Sequence, residues 1–294
     1  MDKAPVRVSL IGAGRMGTPM ARRLLGSGFP VTVCDLNPAA VAALVSEGAE
    51  SAPDPAAAAR AADVVITILP DGPAVEQAVY GPRGLAEALA PGQFLLEMTS
   101  SRPAVTRRVA ADLSAKGIRV VDAPVSGGVR GAEAGTLCVM VGASAADLEA
   151  CRPILECFGR DIVHVGEHPG DGDTAKTLNN MLSAMTMWSA AEALALGAKA
   201  GLDPARLVEA INHSSGRSNT TEAKLPRYVL PRQFNAGFTV GQYLKDLNIC
   251  LGLAEETGTP MPLAEMLHEL WGKAAAGGMM DRDHTAVVEW VQRM

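Results

Sequence analysis

The sequence has 294 residues, 48% hydrophobic and 20% charged, so it is long enough for two domains and too apolar for a disordered chain. Its net charge of −6 argues against a protein that binds nucleic acid or an anionic membrane surface. The longest apolar run, residues 64–69, is too short to cross a bilayer, and the first strand-like run leaves no room for a signal peptide. We therefore expect a small-molecule ligand and no nucleic-acid or membrane partner.

The cysteines and histidines predict a cytoplasmic protein without a metal site. The cysteines are odd in number, scattered and without a C-x-x-C pair, which is typical of reduced core residues. They are Cys34, Cys138, Cys151, Cys157 and Cys250. His164 and His168 are separated by Gly166 and followed by Pro169, so they are not expected to share a helix face as two metal ligands would.

The first predicted elements form a strand–helix–strand unit around a glycine-rich turn. A strand over residues 6–11 leads into Gly12, Ala13, Gly14, Arg15, Met16 and Gly17, and a helical run over 18–25 follows. In such a G-x-G-x-x-G turn the first glycine permits the tight turn, the second lets the backbone approach a pyrophosphate, and the third lets the helix pack on the strand. The free N–H groups of the helix N-terminus favour phosphates. This context predicts a dinucleotide site.

Asp35 indicates which dinucleotide is bound. The second strand, residues 31–34, ends at Asp35 and Leu36, which we include in the predicted cofactor site. A carboxylate at this position accepts hydrogen bonds from the adenosine ribose and repels a 2′-phosphate. No Arg or Lys lies between Asp35 and Ser46. The sequence therefore favours NAD over NADP, although Arg15 is a basic side chain within reach of either phosphate group.

The alternation of strands and helices ends midway along the chain. Up to His164 it predicts a Rossmann-type, doubly wound, mostly parallel sheet with helices on both faces. From Asp173 to Ala200 there is no proline and one glycine, which predicts one helix of roughly 42 Å. Only helices are predicted beyond it. We therefore predict an α/β dinucleotide-binding domain over 1–166 and an all-α substrate and oligomerisation domain over 167–294, with the long helix between them.

Three further segments carry polar groups suited to binding or catalysis. The loop 123–131 presents the Ser126 hydroxyl and the bare N–H groups of Gly127 and Gly128, which can hold a carboxylate; a flexible surface turn is the alternative. Lys176 and Asn180 are four residues apart, so they share one helix face.

Lys176 is a candidate general base. It lies near the start of the long helix, where the macrodipole disfavours a cation and can lower the pKa of the amine. A solvated lysine is the alternative. Farther along, Lys245 and Asp246 interrupt an apolar helix, and a surface ion pair is the alternative there.

Four blocks of sequence resemble the β-hydroxyacid dehydrogenase family, which includes 3-hydroxyisobutyrate dehydrogenase and tartronate semialdehyde reductase. They are the glycine-rich start, DAPVSGGVRGAEAGTL from Asp122, G-x-G-x-x-x-K-x-x-N-N from Gly170, and GFTVGQYLKDLNICLGLA from Gly237. The blocks follow the family's order and span nearly the whole chain. The resemblance implies a homodimer or homotetramer.

The resemblance also implies roles for the matching residues. Lys176 would be the catalytic acid/base, with Asn180 bonding the substrate beside it. The substrate carboxylate would lie on Ser126, Gly127 and Gly128. Lys245 would contact cofactor and substrate with Asp246 as its neighbour, and Leu69, Pro70 and Thr99 would line the ribose and nicotinamide end of the cofactor.

The sequence predicts an NAD-dependent oxidoreductase that interconverts a small 3-hydroxy acid and its oxo acid or semialdehyde. A dehydrogenase of a threonate-like sugar acid, a tartronate semialdehyde reductase and a non-catalytic NAD-binding module are the alternatives. Arg217 or Arg130 is available for a second acidic or polyhydroxy group of the substrate, or is structural. Asp171 and Asp173 add negative charge around Lys176, which would raise its pKa.

Overall fold

Within residues 5–294, which the computed structural model describes, nine strands form one sheet. They are β1 (Val8–Ile11), β2 (Val31–Cys34), β3 (Glu50–Ser51), β4 (Val64–Thr67), β5 (Phe94–Glu97), β6 (Arg119–Asp122), β7 (Val125–Ser126), β8 (Leu137–Gly142) and β9 (Gly159–Gly166). Their order is β3-β2-β1-β4-β5-β6-β8-β7, with β9 paired to β8. The first six in this order run parallel, whereas β8 is antiparallel to β6 and β7. The predicted mostly parallel, doubly wound sheet is confirmed.

The central strands are apolar because helices cover both faces of the sheet. Every residue of β1, β2, β4 and β5 is buried, as expected for parallel strands with covered faces. The strand order reverses between β1 and β4, and ligands of such sheets bind at the carboxyl ends of the strands at that point. The segments that follow Ile11, Cys34, Thr67 and Glu97 therefore open onto one edge.

Three helices of the sheet-containing unit begin where the sequence supplies an N-cap side chain and a proline in the first two helical positions. Asn37, Asp54 and Asp71 each accept a backbone N–H of the first turn through the side chain. The helices are α1 (Gly17–Gly26), α2 (Pro38–Ser46), α3 (Pro55–Arg60), α4 (Gly72–Tyr80), α5 (Leu85–Ala88), α6 (Pro103–Ser114), α7 (Gly128–Ala134) and α8 (Ala145–Leu155).

One predicted loop is largely helical. We expected residues 123–131 to form a loop, but Val125 and Ser126 pair with β8 and the chain enters α7 at Gly128. The alanines of this helix favour helical backbone, and Gly135 ends it in the left-handed conformation at φ 68°. The turn is thus formed by Gly127 and Gly128, which have φ values of 134° and 65°.

The second compact unit, Thr177–Met294, contains helices around a cluster of aromatic side chains. Trp271 is fully buried and lies 5.3 Å from the ring of Trp188 and 5.0 Å from that of Tyr243. The later helices are α10 (Pro204–Asn212), a π-helix (Thr220–Val229), α11 (Val240–Thr257), α12 (Pro262–Ala274), a π-helical turn (Ala275–Met279), a 3₁₀ turn (His284–Ala286) and α13 (Val287–Val291).

The predicted long helix is present as α9 (Asp171–Lys199). The first compact unit, Met1–Lys176, ends within it, and the rest belongs to the second unit. Its buried residues in the second unit include Ala184, Trp188 and Ala191, whereas three leucines remain more than 40% exposed. Among the residues that the structure describes, no helix has the length and apolar character needed to cross a membrane.

Substitution of two glycines in the glycine-rich turn tests how closely α1 packs on the end of β1. A Cβ on Gly17 would lie 1.8 Å from the carbonyl oxygen of Gly12, whereas one on Gly14 would meet nothing within 4 Å. Overpacking costs about 1–3 kcal/mol. We therefore expect Gly17→Ala to lower the melting temperature by at least about 2–4 °C. Gly14→Ala is the matched control and should melt as the wild type does; equal melting temperatures for both variants would contradict this packing.

Candidate active site

The glycine-rich turn has the shape that a bound pyrophosphate requires. Gly12 has a φ of 106°, and a Cβ there would lie 2.3 Å from the carbonyl oxygen of Ile68, so a side chain is excluded. Space is open around Gly14, and the turn delivers the chain into the N-terminus of α1. Arg15 is exposed and Met16 packs partly on the core. An anion at this position would meet free backbone N–H groups, so these residues fit a dinucleotide.

Asp35 is fixed above the turn by two backbone N–H groups. Its Oδ2 accepts a hydrogen bond from Ala13 at 2.6 Å, and its Oδ1 accepts one from Asn37 at 2.7 Å. Both oxygens retain lone pairs for further donors such as ribose hydroxyls. The adjacent Leu36 is fully exposed. The predicted carboxylate therefore stands at the carboxyl end of β2, next to the predicted phosphate turn.

The segments after β4 and β5 are tied to each other at the same edge. The N–H of Leu69 donates to the Oγ1 of Thr99 at 3.0 Å, and the N–H of Thr99 donates to Glu97 at 2.8 Å. Thr99 is fully buried, Leu69 is half-buried and Pro70 is exposed. The predicted cofactor residues of both segments thus belong to one hydrogen-bonded group.

Lys176 lies near the Ser126 segment within the first unit. Ser126 is directly opposite Cys138 in the β7–β8 pair. Burial and Asp161 raise the pKa of the Cys138 thiol, and the positive charge of Lys176 opposes them, which places the ammonium near this pair. Lys176 itself is only 9% exposed. Lys176 is therefore a nearly buried amine whose charge acts on the residue opposite Ser126.

A group of three buried carboxyls holds the start of α9, and we did not predict it from the sequence. The Oδ2 of Asp122 accepts hydrogen bonds from the N–H groups of Gly170 at 2.7 Å and Asp173 at 3.0 Å. Asp173 in turn accepts hydrogen bonds from the Ser101 N–H at 3.1 Å and the Thr106 hydroxyl at 2.6 Å. The third carboxyl is Glu97, and all three are fully buried. In the sequence, these carboxyls are marked only by the positions of Glu97 and Asp122, which end the apolar strands β5 and β6.

Two of these carboxyls, Glu97 and Asp122, have raised pKa values because they are buried beside Asp173. Burial and the charge of Asp173 raise the pKa of Glu97 to about 8, and the same two causes raise that of Asp122 well above its ordinary value. Among the described residues, Glu97 Oε2 and Asp122 Oδ1 have no hydrogen-bond partner. No group of three or more His, Cys, Asp or Glu in residues 5–294 is arranged to hold a metal ion.

The two aspartates near Lys176 accept hydrogen bonds from other segments of the first unit. Asp173 is bonded to Ser101 and Thr106, as described above. Asp171 accepts a hydrogen bond from the N–H of His168 at 3.1 Å, and its side chain is one-third exposed. The expected effect of these two charges on the pKa of Lys176 stays a prediction.

The second unit holds the remaining predicted site residues. The Nδ2 of Asn180 donates to the Oδ2 of Asp246 at 2.6 Å, and Lys245 lies 3.5 Å from the other oxygen of Asp246. Asn180 and Asp246 are buried, and the Lys245 side chain is about one-third exposed. Because α9 is continuous, Asn180 follows Lys176 by one turn on the same helix face.

The two arginines considered for a second substrate group lie on the surface. The Arg217 side chain is 64% exposed and lies 3.7 Å from Glu222. Arg130 is exposed on α7. Lys224, which we did not predict, is half-buried and donates hydrogen bonds to Ser183 of α9 and Tyr243 of α11. In the sequence it is marked only as a lysine within a predicted helix.

Comparisons with known proteins show the family to which the chain is similar. A family model described as the NAD-binding domain of 6-phosphogluconate dehydrogenase matches residues 7–166, and one described as NAD-binding of NADP-dependent 3-hydroxyisobutyrate dehydrogenase matches residues 170–291. The chain is 41% identical to 2-(hydroxymethyl)glutarate dehydrogenase of Eubacterium barkeri, covering 99% of this chain and 97% of that one. It is also 41% identical to 3-hydroxyisobutyrate dehydrogenase of Pseudomonas aeruginosa, covering 90% of each.

A solved structure shares the fold throughout. The Mycobacterium tuberculosis 3-hydroxyisobutyrate dehydrogenase, solved with L-serine, superposes with a TM-score of 0.91 at 31% identity. The match covers 98% of this chain and 99% of that one.

The raised pKa of Glu97 predicts a pH dependence of stability. Between pH 4.5 and about 8 the folded protein keeps a proton on Glu97 that the unfolded chain has already released. Ionisation of this carboxyl therefore makes the folded state less stable as pH rises through that window. Glu97→Gln does not titrate. The free energy of unfolding of Glu97→Gln relative to wild type should therefore rise from pH 5 to pH 8 by up to about 1.4 kcal/mol per pH unit. The difference between the two melting temperatures should rise with it.

Thermal melts of both proteins at several pH values measure this difference. Glu87→Gln, at an exposed position, is the matched control and should show a difference independent of pH. The same flat profile for Glu97→Gln would mean that Glu97 is ionised in the folded protein.

Proposed function

Because the chain belongs to the β-hydroxyacid dehydrogenase family of NAD(P)-dependent oxidoreductases, we propose that it uses NAD to interconvert a small 3-hydroxy acid and its oxo acid or semialdehyde. Lys176 carries the proposal. It is a nearly buried amine on the first turns of α9, and its positive charge acts on Cys138, which lies opposite Ser126 in the β7–β8 pair. A binding module without catalysis has no need of such an amine.

The proposed preference for NAD rests on Asp35. Its carboxylate is held in place by the N–H groups of Ala13 and Asn37, so it cannot easily swing away from the ribose position. Ribose hydroxyls would donate to it, whereas a 2′-phosphate would be repelled. When bound, NAD supplies the acceptor for the hydride that leaves the substrate carbon.

The chain's own residues would handle the carboxylate and the proton. Ser126 and the N–H groups of Gly127 and Gly128 would bind the substrate carboxylate. Lys176 would take the proton of the substrate hydroxyl as the carbon is oxidised, and return it in the reverse direction. Asn180 would orient the reacting group, since its amide is fixed by Asp246 and has a second N–H to donate. Lys245 would lie beside both ligands.

We also propose that the enzyme is a homodimer or homotetramer formed through α9. Leu178, Leu182 and Leu196 lie on one face of this helix and are 41%, 57% and 70% exposed. An apolar row of this kind on one helix face is typical of a contact surface. The molar mass measured by light scattering gives the number of subunits.

The proposal places the enzyme in the cytoplasm. All five cysteines are free thiols, and four of them are buried in the structure. A reducing compartment keeps thiols in this state.

The catalytic role of Lys176 predicts the result of one activity assay. Wild type is mixed with NAD and each of a panel of acids: 3-hydroxyisobutyrate, 2-(hydroxymethyl)glutarate, glycerate, L-serine and threonate. NADH formation is followed at 340 nm. We expect activity on at least one acid, and Lys176→Ala should lower kcat on it by about 10²–10⁴ because proton transfer is lost.

Lys199→Ala is the matched control, since this lysine is exposed in the last turn of the same helix. Binding of NADH, measured by its fluorescence, should be unchanged in both variants. Near-normal turnover by Lys176→Ala would remove this lysine from the mechanism. Silence of wild type on the whole panel, with NAD still bound, would favour a binding module.

The role of Asp35 predicts a change of cofactor preference. Asp35→Ala removes the ribose acceptor and the charge that repels a 2′-phosphate. The ratio of kcat/KM for NAD to that for NADP should fall by about tenfold or more, the value of a hydrogen bond to a charged group. Glu50→Ala, an exposed carboxylate on the neighbouring strand, should keep the wild-type ratio. An unchanged ratio in Asp35→Ala would show that another group selects the cofactor.

A further inference from the structure

The chain that enters α9 is packed against the ends of two neighbouring strands. β6 ends at Asp122 and β8 at Gly142, and these two residues are directly opposite each other in the sheet. A Cβ on Gly142 would lie 2.6 Å from the carbonyl oxygen of His168 and 2.7 Å from the amide nitrogen of Gly172. The backbone at the start of the helix therefore touches the sheet without space for a side chain between them.

Asp122 makes the polar part of this contact. Its Oδ2 accepts hydrogen bonds from the N–H groups of Gly170 at 2.7 Å and Asp173 at 3.0 Å. The N–H groups at a helix start have no partner within the helix, so a side chain that accepts two of them sets where the helix begins. The carboxyl is fully buried, so solvent does not compete for these two bonds.

A second carboxyl ties the same turn to a neighbouring helix. Asp173 accepts hydrogen bonds from the N–H of Ser101 at 3.1 Å and from the hydroxyl of Thr106 at 2.6 Å. Ser101 lies just before α6, and Thr106 lies within it. The first turn of α9 is thus held on two sides, by the end of β6 and by α6.

Lys176 follows this anchored turn directly. It is three residues after Asp173, which is about 4.5 Å along the helix axis, and both belong to the first compact unit. Because α9 is continuous, a displacement of its first turn moves the backbone of Lys176 as well. A general base must come within about 2.6–3.2 Å of the atom whose proton it takes. A misplacement of about 1 Å can lower the rate about 100-fold.

We propose that Asp122 is a positioning residue for Lys176: by holding the N–H groups of Gly170 and Asp173, it places the amine where it can take the proton of the substrate hydroxyl. Asp122 itself neither contacts the substrate nor exchanges the transferred proton. The inference rests on the proposed function, because it presumes that Lys176 is the acid/base.

This role requires an acceptor oxygen and no negative charge. Both hydrogen bonds end on Oδ2 of Asp122, and its Oδ1 has no hydrogen-bond partner among the described residues. Burial and the charge of Asp173 raise the pKa of Asp122 well above its ordinary value, which favours the neutral carboxyl. Asparagine offers the same acceptor in a neutral group of nearly the same shape, whereas leucine has a similar size without an acceptor.

Two substitutions of Asp122 test the proposal, with NAD and an acid of the panel on which wild type is active. Asp122→Leu should lower kcat by about 100-fold, and kcat/KM should fall by the same factor. Asp122→Asn should keep kcat within about tenfold of wild type, because the acceptor remains.

Asp54→Leu is the matched control. Asp54 also accepts an N–H of the first turn of a helix, that of Ala57 in α3. Its loss should lower the melting temperature, as loss of a helix cap does, without lowering kcat.

A double variant separates positioning from general damage. Asp122→Leu is combined with Lys176→Ala, and the residual kcat is compared with that of Lys176→Ala alone. If Asp122 acts through Lys176, the second substitution should cause no further loss. A loss of active protein would instead lower kcat by the same factor with and without the lysine.

Gly172→Ala displaces the helix start without removing a polar group, and it tests the proposal even where Asp122→Leu does not fold. A Cβ on Gly172 would lie 2.5 Å from the carbonyl oxygen of Met140, so the first turn must shift away from β8. We expect kcat to fall by about tenfold or more, again only where Lys176 is present. Gly197→Ala in the same helix is the matched control, since its Cβ would meet the flexible end of the Leu207 side chain.

Each result decides the matter. A loss in Asp122→Leu or Gly172→Ala that disappears in the Lys176→Ala background supports the proposal. Wild-type kcat in these variants, an equal loss with and without Lys176, or a loss in Asp122→Asn as large as in Asp122→Leu overturns it and leaves the proposed function intact. Near-normal turnover by Lys176→Ala, or silence of wild type on the whole panel, overturns the proposed mechanism and this inference with it.

Discussion

The capping of α9 by Asp122 is the contact on which the first unit of the site depends. The start of a helix leaves N–H groups without partners, and Asp122 accepts two of them from the end of β6. Gly172 permits this approach, since a Cβ there would lie 2.5 Å from the carbonyl oxygen of Met140. The helix is thereby locked to the sheet in one register, and Lys176 follows one turn after the capped residues.

The same contact explains why three carboxyls are buried together. Asp173 extends the anchoring from the helix to Ser101 and Thr106, and Glu97 holds the loop that carries Thr99. Three ionised carboxylates this close would repel each other strongly, so the group retains protons. A protonated carboxyl both donates and accepts, which suits a site where backbone and hydroxyl groups must be joined without water. The loop that carries Thr99 and the start of α9 are therefore held in place by the same group of carboxyls.

Local patterns in the sequence were sufficient to predict the glycine-rich turn, the position of Asp35 at the end of β2, and the long helix. Each depends on residues close in sequence, and α9 begins two residues before the predicted start. The carboxyl network could not be predicted in this way, because Asp122 and Asp173 are 51 residues apart and meet only after the sheet has formed. Helix α7 was missed because three glycines in six residues are typical of a loop. Lys224 was missed because nothing near it in sequence marks its contacts with Ser183 and Tyr243.

The division of α9 between two units has an evolutionary consequence. Its first turns are held by the sheet through Asp122, whereas the residues from Thr177 onward pack in the helical unit. Substitutions in the helical unit can therefore change its packing while the hydrogen bonds of Asp122 keep the first turns of α9 in register with the sheet. Because the first turns of α9 are held by contacts within the first unit, a change of sequence in the second unit need not disturb them.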